Sequence, residues 1–160
     1  MIRVQAEDFD PAAELAALTA GRTDIGAVVT FTGLVRDMTG DGPGDRPIDA
    51  MTLEHYPGMT EKQLAGIEAE ANRRWPLQAS LIVHRFGRLE PGARIVCVIT
   101  ASPHRAAAFE ANMFLVDWLK TRAPFWKLEE GPGGAHWVEA RGSDDAAADR
   151  WDAGPAKAAE

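Results

Sequence analysis

A single cysteine, Cys97, occurs in 160 residues. It excludes an internal disulfide and fits a reducing compartment. The opening MIRVQAEDFD lacks the basic-then-apolar pattern of a secretory signal, and no apolar run approaches the ~20 residues that cross a bilayer. Basic side chains number 17 against 24 acidic ones, a formal charge of −7. That balance opposes a general nucleic-acid surface, because phosphate backbones demand basic patches. There is no P-loop and no G-x-G-x-x-G between a strand and a helix. His55, His84, His104 and His136 are scattered, with no pair at metal spacing and no second cysteine, so no metal site is expected. What remains is a soluble, cytoplasmic protein with no membrane and no nucleic-acid partner. A local cationic cluster can still draw a small anion against the global sign.

What is present fits one domain. Hydrophobic residues make up 46% and charged residues 26%, enough apolar content to bury a core without staples. The chain opens with a short strand in MIRVQAEDF. Asp10-Pro11 then reads as an N-cap with proline at the first helical position, and that helix stops at Gly21. Residues 25–36 are β-rich and apolar enough for a central strand. The Gly/Pro/Asp segment 37–49 has no apolar periodicity, and loops of that length usually carry function or motion. AMTLEHY is a strand. Leu64, Ile67, Ala71 and Trp75 fall at helical spacing on an amphipathic helix. ASLIVHRFGRL and ARIVCVITA read as two strands around the turn EPG. Ser102-Pro103 caps a long helix reaching about Arg122. PFWKLEEGPGGAHWVEAR reads as a C-terminal hairpin with Glu-Gly-Pro-Gly-Gly as its loop, and Ser143 with two aspartates caps a last short helix. Strands and helices interleave without a strict βαβ rhythm, which gives an α+β fold. One domain spans 1–152, and 153–160 form a frayed tail.

Only four lysines occur, and two of them, Lys120 and Lys127, flank a proline and two large aromatics in LKTRAPFWKLEE. At 100° per residue, Lys120 shares a stripe with Phe109, Met113 and Val116. It reads either as a cation set in an apolar wall or as a snorkelling lysine at a helix C-terminus. In an extended arm Phe125, Lys127 and Glu129 share one face, while Trp126 and Leu128 share the other, toward the core. Lys127 alone also reads as a solvated edge-strand lysine. The corner at Ala123-Pro124 lets the two ammonium groups converge from two elements, as an anion pocket requires.

Two further clusters bear on anions. SPHR places His104 and Arg105 at a helix start, where free N–H groups suit phosphate or a plain cap. Sixteen residues separate His104 from Lys120, roughly 24 Å along an unbroken helix. One small ligand therefore cannot touch both within one subunit, although a symmetric dimer could bring the two helix ends together. FTGLVRD sets Gly33 and then Arg36 at the mouth of the long loop, suited to phosphate or to a surface ion pair. Cys97, between valines in a strand, reads as a small core hydrophobe.

FTGLVR, LEHYPGM, VHRFGRLEPG, SPHRAAAFEA, LKTRAPFWKLE and WVEAR occur in order from residue 31 to 141. With them the chain closely resembles the catalytic subunit family of molybdopterin synthase. K-x-x-x-P-x-W-K following HR-x-x-A-F is its specific mark. The resemblance implies an α/β-hammerhead-like α+β domain and a homodimer within a heterotetramer. Each protomer would carry a small ubiquitin-like sulfur-carrier subunit with a C-terminal Gly-Gly. It implies transfer of sulfur from the carrier's terminal thiocarboxylate to cyclic pyranopterin monophosphate, forming the dithiolene of molybdopterin, with no cofactor. Lys120 and Lys127 match the catalytic lysines. Leu34, Val35, Arg36, His104, Arg105, Leu128 and Glu129 match substrate-pocket positions together with those lysines. Arg141 matches an arginine reaching in from the neighbouring subunit, and Phe31 and Met113 would wall the pocket. Leu128 departs from the lysine or arginine frequent there, and the GDGPGDRP loop is longer than expected. A non-catalytic anion-binding or protein-interaction module on the same fold is the competing reading.

Overall fold

The computed structural model describes residues 1–40, 43–138 and 142–152. The expected 153–160 tail and Arg141 lie outside them. Among the described residues, twelve elements follow one another: β1 (Ile2–Gln5), α1 (Pro11–Thr19), β2 (Ala27–Leu34), β3 (Ala50–His55), α2 (Met59–Arg74), β4 (Ala79–Arg85), β5 (Gly87–Leu89), β6 (Arg94–Ser102), α3 (Arg105–Arg122), β7 (Phe125–Gly131), β8 (Gly134–Trp137) and α4 (Gly142–Asp149). They form an α+β fold with two four-stranded sheets, ordered β1-β4-β6-β2 and β5-β3-β7-β8. No helix among the described residues is long and apolar enough to cross a membrane.

The first sheet is covered on both faces, which is why β6 is apolar almost throughout. Ile82 and Val98 face α2 and α3, meeting Leu64, Ile67, Phe114 and Leu115. Leu81, Val83, Cys97 and Ile99 face the other way, onto Phe9 and α1. The Asp10 side chain accepts from the Ala12 N–H, and Pro11 opens α1 as expected. Among the described residues β2 pairs only with β6, so it is the outer strand rather than a central one. Its apolar content serves the two covered faces, not a second neighbouring strand.

The segment read as one strand, ASLIVHRFGRL, is divided between the sheets. β4 pairs with β1 and β6, whereas β5 pairs with β3. Gly87, at φ 90°, takes the left-handed backbone that lets the chain cross. The hairpin loop is tighter than expected. Gly131 pairs with Gly134, leaving Pro132 and Gly133 as the turn. Ser102 does not cap α3: it ends β6, and His104 is the N-cap, without a side-chain cap hydrogen bond. Burial decides this, because Ser102 is fully enclosed and its hydroxyl donates to the Pro76 carbonyl at 3.1 Å. α4 starts at Gly142, one residue ahead of Ser143.

α3 buries a different face from the one its periodicity suggested. Ala107, Ala108, Ala111, Phe114, Leu115, Trp118 and Leu119 are enclosed, while Phe109 and Met113 are 59% and 48% exposed. The helix is apolar on two sides. The side with small alanines approaches the sheet closely and brings the larger rings of Phe114 and Trp118 with it. Buried Asn112 fixes that choice. Its Nδ2 donates to the Val29 and Val98 carbonyls at 3.2 and 3.0 Å, tying α3 to β2 and β6.

Candidate functional site

The two sheets do not close on each other. Between them, beneath the C-terminal turn of α3, lies a cavity of about 430 Å³. Phe31, Gly33 and Leu34 of β2 and Val96 of β6 form one side. Val116, Leu119 and Lys120 of α3 form another, and Phe125, Lys127 and Glu129 of β7 a third. Arg36 and Met38 lie at the mouth of the long loop, and Asp144 of α4 completes the rim. Gly33 is needed for its lack of a side chain: a Cβ there would lie 2.8 Å from Val96 Cγ1, inside the wall.

Both lysines line this space. α3 ends at Arg122, Ala123 caps it in extended backbone, and β7 begins at Phe125. Strand alternation then places Phe125, Lys127 and Glu129 on the cavity face. The assignment of the opposite face to the core is corrected: Trp126 is 49% exposed. The core of this sheet lies on the other face: Met51 and Leu53, opposite Glu129 and Lys127, pack with Leu89 and Val35, while Trp126 stands opposite the exposed Glu54. Lys120 projects from the edge of α3 rather than from its buried stripe. Its Nζ lies 3.7 Å from Asp144 Oδ1, with both side chains partly exposed. Arg36 Nη2 donates to the Thr39 carbonyl at 3.5 Å.

Among the described residues, three cationic and two anionic side chains line a largely apolar cavity. That excess suits an anion with a sizeable apolar or ring portion. A further polar group, His84, forms part of the floor. Its ring stacks on Phe125 at 3.6 Å between centroids. Nδ1 lies 2.8 Å from the Arg85 carbonyl, so that nitrogen carries the proton and donates. Burial pushes the imidazole down to about 4, and the charge of Lys127 adds to the effect. His84 is thus neutral above about pH 4. It was not singled out from the sequence, yet the alternation Ser80, Ile82, His84 puts it on the face of a buried isoleucine, which is a legible signal.

The other expected site residues divide. Phe31, Leu34, Arg36 and Glu129 line the cavity with the lysines, whereas Met113, Val35 and Leu128 do not. Met113 follows the exposed side of α3, and Val35 is buried among Met51, Leu53 and Leu89. His104 and Arg105 are exposed at the far end of the unbroken α3, so the separation predicted from helix rise stands. No group of three or more His, Cys, Asp or Glu side chains among the described residues could hold a metal. Cys97 is fully buried, and burial pushes its thiol up. It behaves as the small core hydrophobe expected and is no nucleophile for this cavity.

Comparison with known proteins gives a consistent result. A family model described as MoaE protein matches residues 4–122, a stretch that includes Lys120 and ends before Lys127. The molybdopterin synthase catalytic subunit of Pseudomonas aeruginosa is 59% identical over 151 residues, covering 94% of this chain and 98% of the relative. The structure of a molybdopterin biosynthesis MoaE protein from Burkholderia ambifaria superposes with a TM-score of 0.79. It is 53% identical, with 95% of this chain and 97% of that one covered. A complex of subunits 1 and 2 of molybdopterin-converting factor from Helicobacter pylori shares the fold. Its TM-score is 0.70 at 18% identity, over 88% and 91% of the chains.

Proposed function

The chain belongs to the MoaE protein family, and from that premise we propose how its cavity carries out the sulfur transfer of molybdopterin synthesis. The chain is the catalytic subunit of a sulfurtransferase. The substrate is cyclic pyranopterin monophosphate, a ring system bearing one phosphate. The sulfur arrives as the C-terminal thiocarboxylate of a small ubiquitin-like carrier whose Gly-Gly tail enters the cavity. The observation that carries this reading is the convergence of Lys120 and Lys127, from a helix end and a strand, on one half-apolar cavity. Because Cys97 is enclosed in the core, a partner must supply the sulfur, and a thiocarboxylate meets that need without a nucleophilic cysteine.

In this reading Lys120 acts as the main acid and base, or holds the reacting intermediate. Lys127 stabilises charge that develops as the cyclic phosphate opens and sulfur attacks. Arg36 pairs with the phosphate, and Phe31 and Leu34 contact the ring. His104, Arg105 and Arg141 serve a neighbour's cavity rather than their own, in a homodimer that becomes a heterotetramer with two carriers. Phe109 and Met113, left exposed on α3, and the unpaired outer edge of β2 suit such a second copy. The Helicobacter complex of two subunits supports a small partner. The assembly works in the cytoplasm, as one domain over 1–152.

The test is reconstitution. The chain, thiocarboxylated carrier and cyclic pyranopterin monophosphate should together yield the dithiolene, with carrier thiocarboxylate consumed in step. Absence of product with a carrier proven competent elsewhere would overturn the assignment.

A further inference from the structure

The contact between Lys120 and Asp144 joins two helix ends. Lys120 lies in the last turn of α3 and Asp144 in the first turn of α4. Each charge complements the dipole of its own helix. Nζ and Oδ1 are 3.7 Å apart, and both residues line the cavity. A carboxylate on the rim of an anion site weakens anion binding, so its presence there calls for a compensating use. Docking α4 is not that use, because α4 is held without it. Ala148 is in the main core with Trp151 packed against that core. Trp151 Nε1 donates to Asp117 Oδ2 at 2.7 Å, and Arg150 pairs with the same carboxylate. Arg122 pairs with Asp152 at 2.7 Å, and Arg74 Nη1 donates to the Trp151 carbonyl at 2.6 Å.

We propose that Asp144 is a positioning residue for Lys120: α4 is fastened to α3 so that its first-turn carboxylate holds the lysine's ammonium over the cavity. A lysine side chain has four rotatable bonds and half of this one faces solvent. Without a counter-charge on a rigid element, it spends most of its time elsewhere. The inference rests on Lys120 acting in the reaction proposed above.

In the reconstituted complex with carrier, Asp144→Asn should lower kcat up to about fivefold, while KM for the pterin substrate stays unchanged. Asp144→Glu, which retains the charge, should recover part of the loss. The thermal midpoint should move by no more than about 2 °C, since the contact is a partly exposed ion pair. A second readout needs no turnover. The ammonium NMR signal of Lys120, assigned by its loss in Lys120→Ala, should be sharp in the wild type and lost to exchange in Asp144→Asn. Wild-type kcat in Asp144→Asn, or an unchanged ammonium signal, overturns the positioning role. A fall in kcat matched by a large drop in thermal midpoint, and not relieved by Asp144→Glu, also overturns it by pointing to structure alone. If the wild-type complex makes no dithiolene, the proposed function fails, and the ammonium signal still decides whether Asp144 holds Lys120.

Discussion

Lys120→Ala is expected to lower dithiolene formation by about 10²- to 10⁴-fold, the range in which a positioned acid or base contributes. The prediction follows from where the side chain sits. Lys120 leaves α3 at the cavity rim, outside the enclosed face formed by Phe114, Leu115, Trp118 and Leu119. Truncation removes no core packing, and the unfolding midpoint should stay within about 2 °C of wild type. Carrier binding, which draws on a surface much larger than one ammonium group, should change little. Turnover and binding are therefore predicted to separate, and isothermal titration with carrier alongside a dithiolene assay measures both. Near-normal turnover would remove Lys120 from the mechanism. A joint loss of carrier affinity and turnover would recast it as a docking residue.

Acid should destabilise the protein earlier than its carboxylates alone would. His84 is enclosed against Phe125 and titrates near 4, against an ordinary value of 6.5. Between these values the unfolded chain binds a proton that the folded chain refuses. Stability is thus fully present above about 6.5 and falls as pH drops toward 4. A shift of this size corresponds to about 3 kcal/mol, with a slope of about 1.4 kcal/mol per pH unit within the window. Asp8 and Glu70 titrate near 2, Asp8 held there chiefly by Arg94 and Glu70 by Arg73 and Arg74. Their contributions are present above the ordinary values of 3.8 and 4.5 and are lost as pH falls from there toward 2. The interval from pH 6.5 to 4.5 accordingly belongs to His84. Urea unfolding at half-unit steps should show the slope in the wild type and a flatter profile in His84→Phe, whatever that variant's absolute stability. A wild-type profile already flat there, or a variant that keeps the slope, would contradict the account.

The elements were legible wherever a local signal decided them. Asp10-Pro11 fixed the start of α1, and Leu64, Ile67 and Ala71 fixed the buried face of α2. Alternation along β7 put Lys127 with Phe125 and Glu129 on one face, and the corner at Pro124 brought it toward Lys120. What failed depended on long-range packing. α3 carries two apolar sides, and only the close fit of its alanines and the hydrogen bonds of Asn112 choose between them. Trp126 has the composition of a core residue, but the core of its sheet lies on the face of Met51 and Leu53, which pair with Glu129 and Lys127, a register set by residues distant in sequence. β4 and β5 read as one strand because a single glycine at φ 90° moves the chain between sheets. Asp144 was visible only as part of a helix start, since its meaning lies in a neighbour 24 positions earlier.

The central claim is that the carrier's tail ends in the cavity shared by Lys120 and Lys127. With lysines at only four positions, 62, 120, 127 and 157, covalent mapping can decide it. A carrier whose C-terminal glycine bears an amine-reactive acyl group is incubated with the chain, and the adduct is located by peptide mass spectrometry. The account predicts a single adduct on Lys120 or Lys127, suppressed by excess cyclic pyranopterin monophosphate. An adduct on Lys62, on the exposed side of α2, or one that the substrate does not suppress, would contradict it.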